Sequence, residues 1–112
     1  MLLRTFRAAL QALYGGGVNL LCSSDAGIFS FKPHPTLTYS MAAMTEQAGI
    51  PPADVVRMAT VSAAAAIGLG DRKGRIAPGY DADLLAVAGD PLTDLSALCK
   101  VRAVYRSGRS VV

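Results

Sequence analysis

The sequence predicts an α/β fold that opens with one αβ step of a barrel and closes in short strands. Three observations predict it. An amphipathic stretch runs into a triple glycine and then an apolar strand pattern. That pattern ends in a carboxylate followed by a glycine, Ser23-Ser24-Asp25-Ala26-Gly27. From Asp71 onward the helical period gives way to strands and turns.

In residues 2–13, Leu2, Leu3, Phe6, Leu10 and Leu13 share one helical face, with Arg4, Arg7 and Gln11 elsewhere. Gly15-Gly16-Gly17 stops this helix. The run 18–24, led by Val18-Asn19-Leu20-Leu21-Cys22, reads as a strand buried on both faces, as parallel barrel strands are. Such a strand fixes Asp25 in space, and Gly27 lets the backbone turn away. Catalytic groups of (β/α)₈ barrels sit at the C-terminal ends of strands, and Asp25 holds that kind of position.

A loop follows, Ile28 to Pro35, with two prolines, two aromatic residues and His34, the one histidine of the sequence. It is long enough to arch over a site at the strand end. Thr36 is expected to cap a helix whose face carries Leu37, Met41, Met44 and Ala48, with Gly49 at its C′ position. Pro51-Pro52-Ala53-Asp54 opens a further helix, with proline in the first turn and an acid near the positive dipole end. Its expected apolar face runs through Val55, Ala59, Ser62, Ala63, Ala66 and Ile67, and Gly68 and Gly70 end it.

Pro78-Gly79 signals a type II turn. Residues 82–87 read as a strand, Gly89-Asp90-Pro91 as a loop, and 101–106 as another strand. Ser107-Gly108 can close a hairpin onto Ser110-Val111-Val112.

Composition narrows the class. The chain has 112 residues, 52% of them hydrophobic and only 17% charged. A complete (β/α)₈ barrel needs about 200 residues or more, and small domains bury a smaller share of their surface than large ones. A short chain this apolar reads as part of a larger core. The net charge of +3 comes from scattered arginines such as Arg102, Arg106 and Arg109. They form no basic helical stripe and have no aromatic platform, so a nucleic-acid partner is not expected. Cys22 and Cys99 lie far apart among apolar neighbours and read as buried free thiols in a reducing compartment. No signal-peptide pattern and no run of about 18 apolar residues is present, so no membrane is expected and the cytoplasm is the default location.

Four ordered motifs carry a resemblance. They are Ser24-Asp25-Ala26-Gly27, Ala59-Thr60 through Ala65-Ala66-Ile67-Gly68-Leu69, Gly74-Arg75-Ile76-Ala77-Pro78-Gly79-Tyr80-Asp81-Ala82-Asp83-Leu84-Leu85, and Gly89-Asp90-Pro91-Leu92. Together they resemble the C-terminal end of the metal-dependent amidohydrolase superfamily, most closely its imidazolonepropionase- and prolidase-like branch. The resemblance implies the C-terminal fragment of a (β/α)₈ TIM barrel followed by strands of a small β-sandwich. Residues 1–73 would be the last αβ step with the helices after it, and 74–112 the sandwich strands. It also implies one or two divalent metals, zinc above all, and hydrolysis of C–N bonds in amide, cyclic amide or dipeptide-like small molecules. The family's active-site aspartate, which touches the metal and shuttles the proton of the attacking water, maps onto Asp25.

The sequence departs from the family pattern in one respect. It has no His-x-His pair, and its single histidine, His34, is expected to contact substrate rather than metal. A local zinc site of Cys22, Asp25 and His34 is disfavoured, because side chains alternate faces along a strand that holds Cys22 three residues before Asp25. Asp81 and Asp83 are expected to shape the turn into the sandwich rather than to act in catalysis. The chain alone therefore lacks the histidine ligands and is expected to be inactive by itself. It would need the missing N-terminal barrel or form homo-oligomers. The competing reading is a non-catalytic remnant or partner-binding module.

Overall fold

The computed structural model describes residues 1–27 and 36–112. Four helices come first: α1 (Leu2–Gly15), α2 (Thr36–Ala48), α3 (Pro52–Ala59) and α4 (Val61–Ala66). Three short strands follow, β1 (Leu84–Val87), β2 (Val101–Arg106) and β3 (Arg109–Ser110), with a 3₁₀ helix at Leu95–Cys99 between the first two. The strands form one antiparallel sheet in the order β1-β2-β3. None of the described helices is long and apolar enough to cross a membrane.

The core forms where apolar side chains of α2 and α3 meet the segment after α1 and the 3₁₀ helix. Cys22, Met41, Ala48, Ile50, Val55, Met58 and Leu95 build it, and Ile50 and Val55 are fully buried. Leu10, Tyr14 and Leu20 pack against its edge. Gly49, at φ +71°, ends α2 as expected, and its N–H donates to the Thr45 carbonyl at 2.9 Å. The chain can then reverse so that Ile50 drops into the core. Thr36 proves to be the first helical residue of α2 rather than a flanking cap.

The long helix expected from Pro51 to Ile67 is broken at Thr60, where φ is −121° and ψ −85°. The Thr60 hydroxyl donates to the Val56 carbonyl at 2.8 Å, and its N–H turns to the Arg57 carbonyl at 3.2 Å. A threonine that bonds back to its own helix in this way bends it. The break rotates the buried face, so Met58 and Ala64 point inward while Ala66 and Ile67 are exposed. Gly74 nests against the same break. A Cβ on Gly74 would lie 2.7 Å from the Thr60 carbonyl oxygen, and its φ of +88° suits glycine alone.

The C-terminal third follows its turn chemistry. Tyr80 N–H donates to the Ala77 carbonyl across Pro78-Gly79 at 3.1 Å, with Gly79 at φ +86°. β1 pairs with β2 from Leu84↔Tyr105 to Val87↔Val101, with an irregularity between Ala86 and Val87. Ser107 and Gly108, at φ +50° and +77°, form the two-residue turn that returns the chain onto β3. Cys99, expected to be buried, is exposed at the end of the 3₁₀ helix, whereas Cys22 is buried; both are free thiols.

Candidate active site

The segment that carries Asp25 starts at the end of α1. Gly16 N–H closes on the Ala12 carbonyl and Val18 N–H on that of Leu13, so the chain leaves the helix through a glycine turn. Residues 18–25 adopt no regular secondary structure, where a strand is expected. The pattern is that of a buried strand, but no strand lies beside it among the described residues, and a ladder needs two partners. What anchors the segment is the Cys22 N–H bond to the Met58 carbonyl at 3.4 Å and the burial of the Cys22 side chain. That burial pushes the Cys22 thiol above its usual range, so it is a packing group rather than a nucleophile.

Three residues later the backbone turns sharply. Asp25 has φ +48° and Gly27 φ +93°. The Ser24 hydroxyl oxygen accepts the Ala26 N–H at 3.2 Å, closing a serine turn around the aspartate. The Asp25 residue is exposed at this bend. An acid in the left-handed region at the end of an apolar segment is well placed to meet a ligand, and short polar residues tolerate that backbone best. Sequence reasoning found Asp25 and Gly27 but not the bond from Ser24. The hydroxyl two positions ahead of Ala26 was the available signal.

A cleft of about 340 Å³ beside this segment opens between α1 and α2 and is lined chiefly by Phe6, Leu10, Leu21, Cys22 and Met44. Its described lining includes no carboxylate, and Asp25 is not part of it. It is an apolar packing groove rather than a site of acid–base chemistry. His34, expected to contact substrate, lies outside the described residues. Among the described residues, no three His, Cys, Asp or Glu side chains gather to hold a metal ion. Asp25 can offer one oxygen of the three or four protein donors that zinc takes, so the described residues by themselves do not complete a metal site.

Asp81 and Asp83 act at another place. Lys73 Nζ bridges them at 2.9 and 2.5 Å, and Arg72 joins Asp81 at 2.9 Å. Asp83 also accepts the Ser107 N–H at 2.9 Å, tying the β2–β3 turn to the loop after α4. The Lys73 ammonium, with Arg72 or the Ser107 N–H, holds both carboxyls below the usual range. Their role is to fasten the sheet, as the sequence suggests.

Comparison with known proteins gives the family. Residues 1–111 match the model of the amidohydrolase family, and the chain belongs to it. Members of this family are generally metal-dependent. The chain is similar to an imidazolonepropionase of Chloroflexus aggregans, 39% identical over 83 residues, which cover 74% of this chain and 19% of that protein. An adenine deaminase of Sinorhizobium fredii is 36% identical over 91 residues, 81% of this chain and 15% of that protein. In structure, the chain superposes on a candidate prolidase of Bifidobacterium longum with a TM-score of 0.86 and 27% identity, covering 94% of this chain and 26% of that one. The chain thus spans about a quarter or less of the length of these relatives.

Proposed function

We propose that this chain supplies the last αβ step of a (β/α)₈ barrel, and part of a small β-sandwich, to an enzyme that hydrolyses C–N bonds. On this reading residues 18–25 are the final barrel strand, and the strands after Gly74 belong to the sandwich. The carrying observation is the bend at Asp25, which places an exposed aspartate in a left-handed turn at the end of the apolar segment. Family membership over residues 1–111 supports the reaction class. The similar proteins include an imidazolonepropionase, an adenine deaminase and a candidate prolidase. Substrates of amide, cyclic amide or dipeptide-like character suit that range.

Asp25 acts as general acid and base. Its carboxylate takes a proton from the attacking water and returns it to the leaving nitrogen. It also supplies one donor to a divalent metal, zinc by preference, whose other ligands come from outside this chain. His34, nine residues further along the sequence, contacts substrate. The alternative, a partner-binding module without catalysis, draws on the exposed apolar face of α1.

The test is Asp25→Asn in the complete, metal-loaded enzyme. Turnover should fall by about 10² or more, the usual worth of a positioned general base, with the fold intact by circular dichroism. Near-normal turnover at full metal content would overturn the assignment. His34→Ala should raise KM while leaving metal content unchanged. Stoichiometric metal loss would make His34 a ligand instead.

A further inference from the structure

We propose that Ser24 is a positioning residue for Asp25, an inference that rests on the role given to Asp25 above. The backbone at Asp25 lies at φ +48°, a region that L residues other than asparagine and aspartate seldom enter. Something must hold it there. Gly27, at φ +93°, relieves the turn on its far side. On the near side the hold is the Ser24 hydroxyl oxygen, which accepts the Ala26 N–H at 3.2 Å and so spans the aspartate.

This bond closes a ring across Asp25, whose φ is positive. Without the acceptor, the Ala26 N–H loses this partner and the bend at Asp25 is held less firmly against the extended and right-handed regions that L residues ordinarily prefer. A change of φ from positive to negative swings Cβ, and the carboxylate with it, away from its present direction. Ser24 is partly shielded from solvent while Asp25 is exposed, so the bond competes with water less than a fully exposed one would. Ser24 itself need not touch substrate. It sets where the acid stands, and reactions that depend on placed groups are sensitive to displacements of about 1 Å.

Two features separate this role from simple structural support. The effect should fall on the chemical step rather than on substrate affinity, and it should be rescued by any side chain with an oxygen at the same reach. Threonine keeps the hydroxyl, and asparagine can accept the same N–H through its amide oxygen.

The experiment uses the complete, metal-saturated enzyme with Ser24→Ala, Ser24→Thr, Ser24→Asn and Asp25→Asn. Ser24→Ala should lower kcat by about 10- to 100-fold, as the loss of supporting groups around active sites commonly does, with KM little changed. Ser24→Thr should restore kcat to near the starting value, and the Ala26 amide should exchange with solvent faster in Ser24→Ala than in either parent or Ser24→Thr. If Asp25→Asn abolishes turnover while Ser24→Ala is unaffected, the positioning role fails and the role of Asp25 stands. If Asp25→Asn is unaffected, the reading of Asp25 itself fails. Should Ser24→Ala not fold, Ser24→Asn decides: near-normal kcat supports the proposal, and a loss as deep as that expected for alanine overturns it.

Discussion

The α2–α3 core and the α1 arm that leads to Asp25 are built from equally apolar sequence, yet they end in opposite states. Ile50 and Val55 are completely buried, and Met41, Met58 and Leu95 close around them. In α1 no residue is buried; Leu2 is 86% exposed and Phe6 61%. Leu10 and Tyr14 alone of that helix rest on the core edge. The segment after it, which holds the candidate catalytic acid, pairs with no strand among the described residues. A helix with so marked an apolar face is designed for a neighbour, and an apolar exposed surface of this kind marks an interface. The region proposed to carry the chemistry is therefore the region whose own chain satisfies it least.

That contrast can be broken first at the core. Ile50→Ala should cost about 2–5 kcal/mol, the usual range for emptying a buried aliphatic site, seen as a lower urea midpoint at concentrations where the chain stays dispersed. Phe6→Ala in the same chain should stay within about 0.5 kcal/mol of the parent, as exposed substitutions do. In the complete polypeptide Phe6→Ala should cost about 3 kcal/mol or more. Equal, small effects of Phe6→Ala in both settings would mean that α1 meets no partner.

The second break is at Gly74. Alanine there meets the Thr60 carbonyl oxygen at 2.7 Å in a backbone region that only glycine enters freely, so Gly74→Ala should destabilise by about 1–3 kcal/mol. Thermal unfolding checks it. An unchanged midpoint would show that the break between α3 and α4 can relax at no cost.

The helices and turns were legible because their signals are local. Gly49 ends α2 and Ser107-Gly108 turns the hairpin where the residues say they should. The break at Thr60 was not legible, since a threonine inside an alanine-rich run gives no strong stop. It becomes intelligible beside Gly74, fourteen positions later in sequence. The bond from the Tyr14 hydroxyl to the Asp54 carboxylate at 2.5 Å joins residues forty apart and has no local signature. At the candidate site the sequence pointed to Asp25 through the apolar run and Gly27. The ladder that such a run predicts is a property of neighbouring strands, which no local pattern can supply.

The smallest expected effect lies in the sheet. Asp81 and Asp83 have carboxyls lowered by Lys73 and its neighbours. A lowered folded-state value stabilises above the ordinary carboxylate pKa of about 4, and that contribution is lost as pH falls through the folded values. Between about pH 5 and pH 2 the melting temperature of the parent should therefore fall more steeply than that of Asp81→Asn/Asp83→Asn. Because these groups are solvent-facing, added salt should shrink the difference. Parallel slopes would remove the ion pairs from the account of the sheet.

The most direct test takes the chain of 112 residues by itself. Size exclusion with light scattering, joined to metal analysis and an amide-hydrolysis assay, reads both halves of the claim. The account predicts an oligomeric, aggregated or partly unfolded species, because segment 18–24, which joins no sheet among the described residues, and the α1 face recruit other chains. It also predicts no tightly held metal and no hydrolysis. A compact monomer with one firmly bound zinc that cleaves an amide would contradict it.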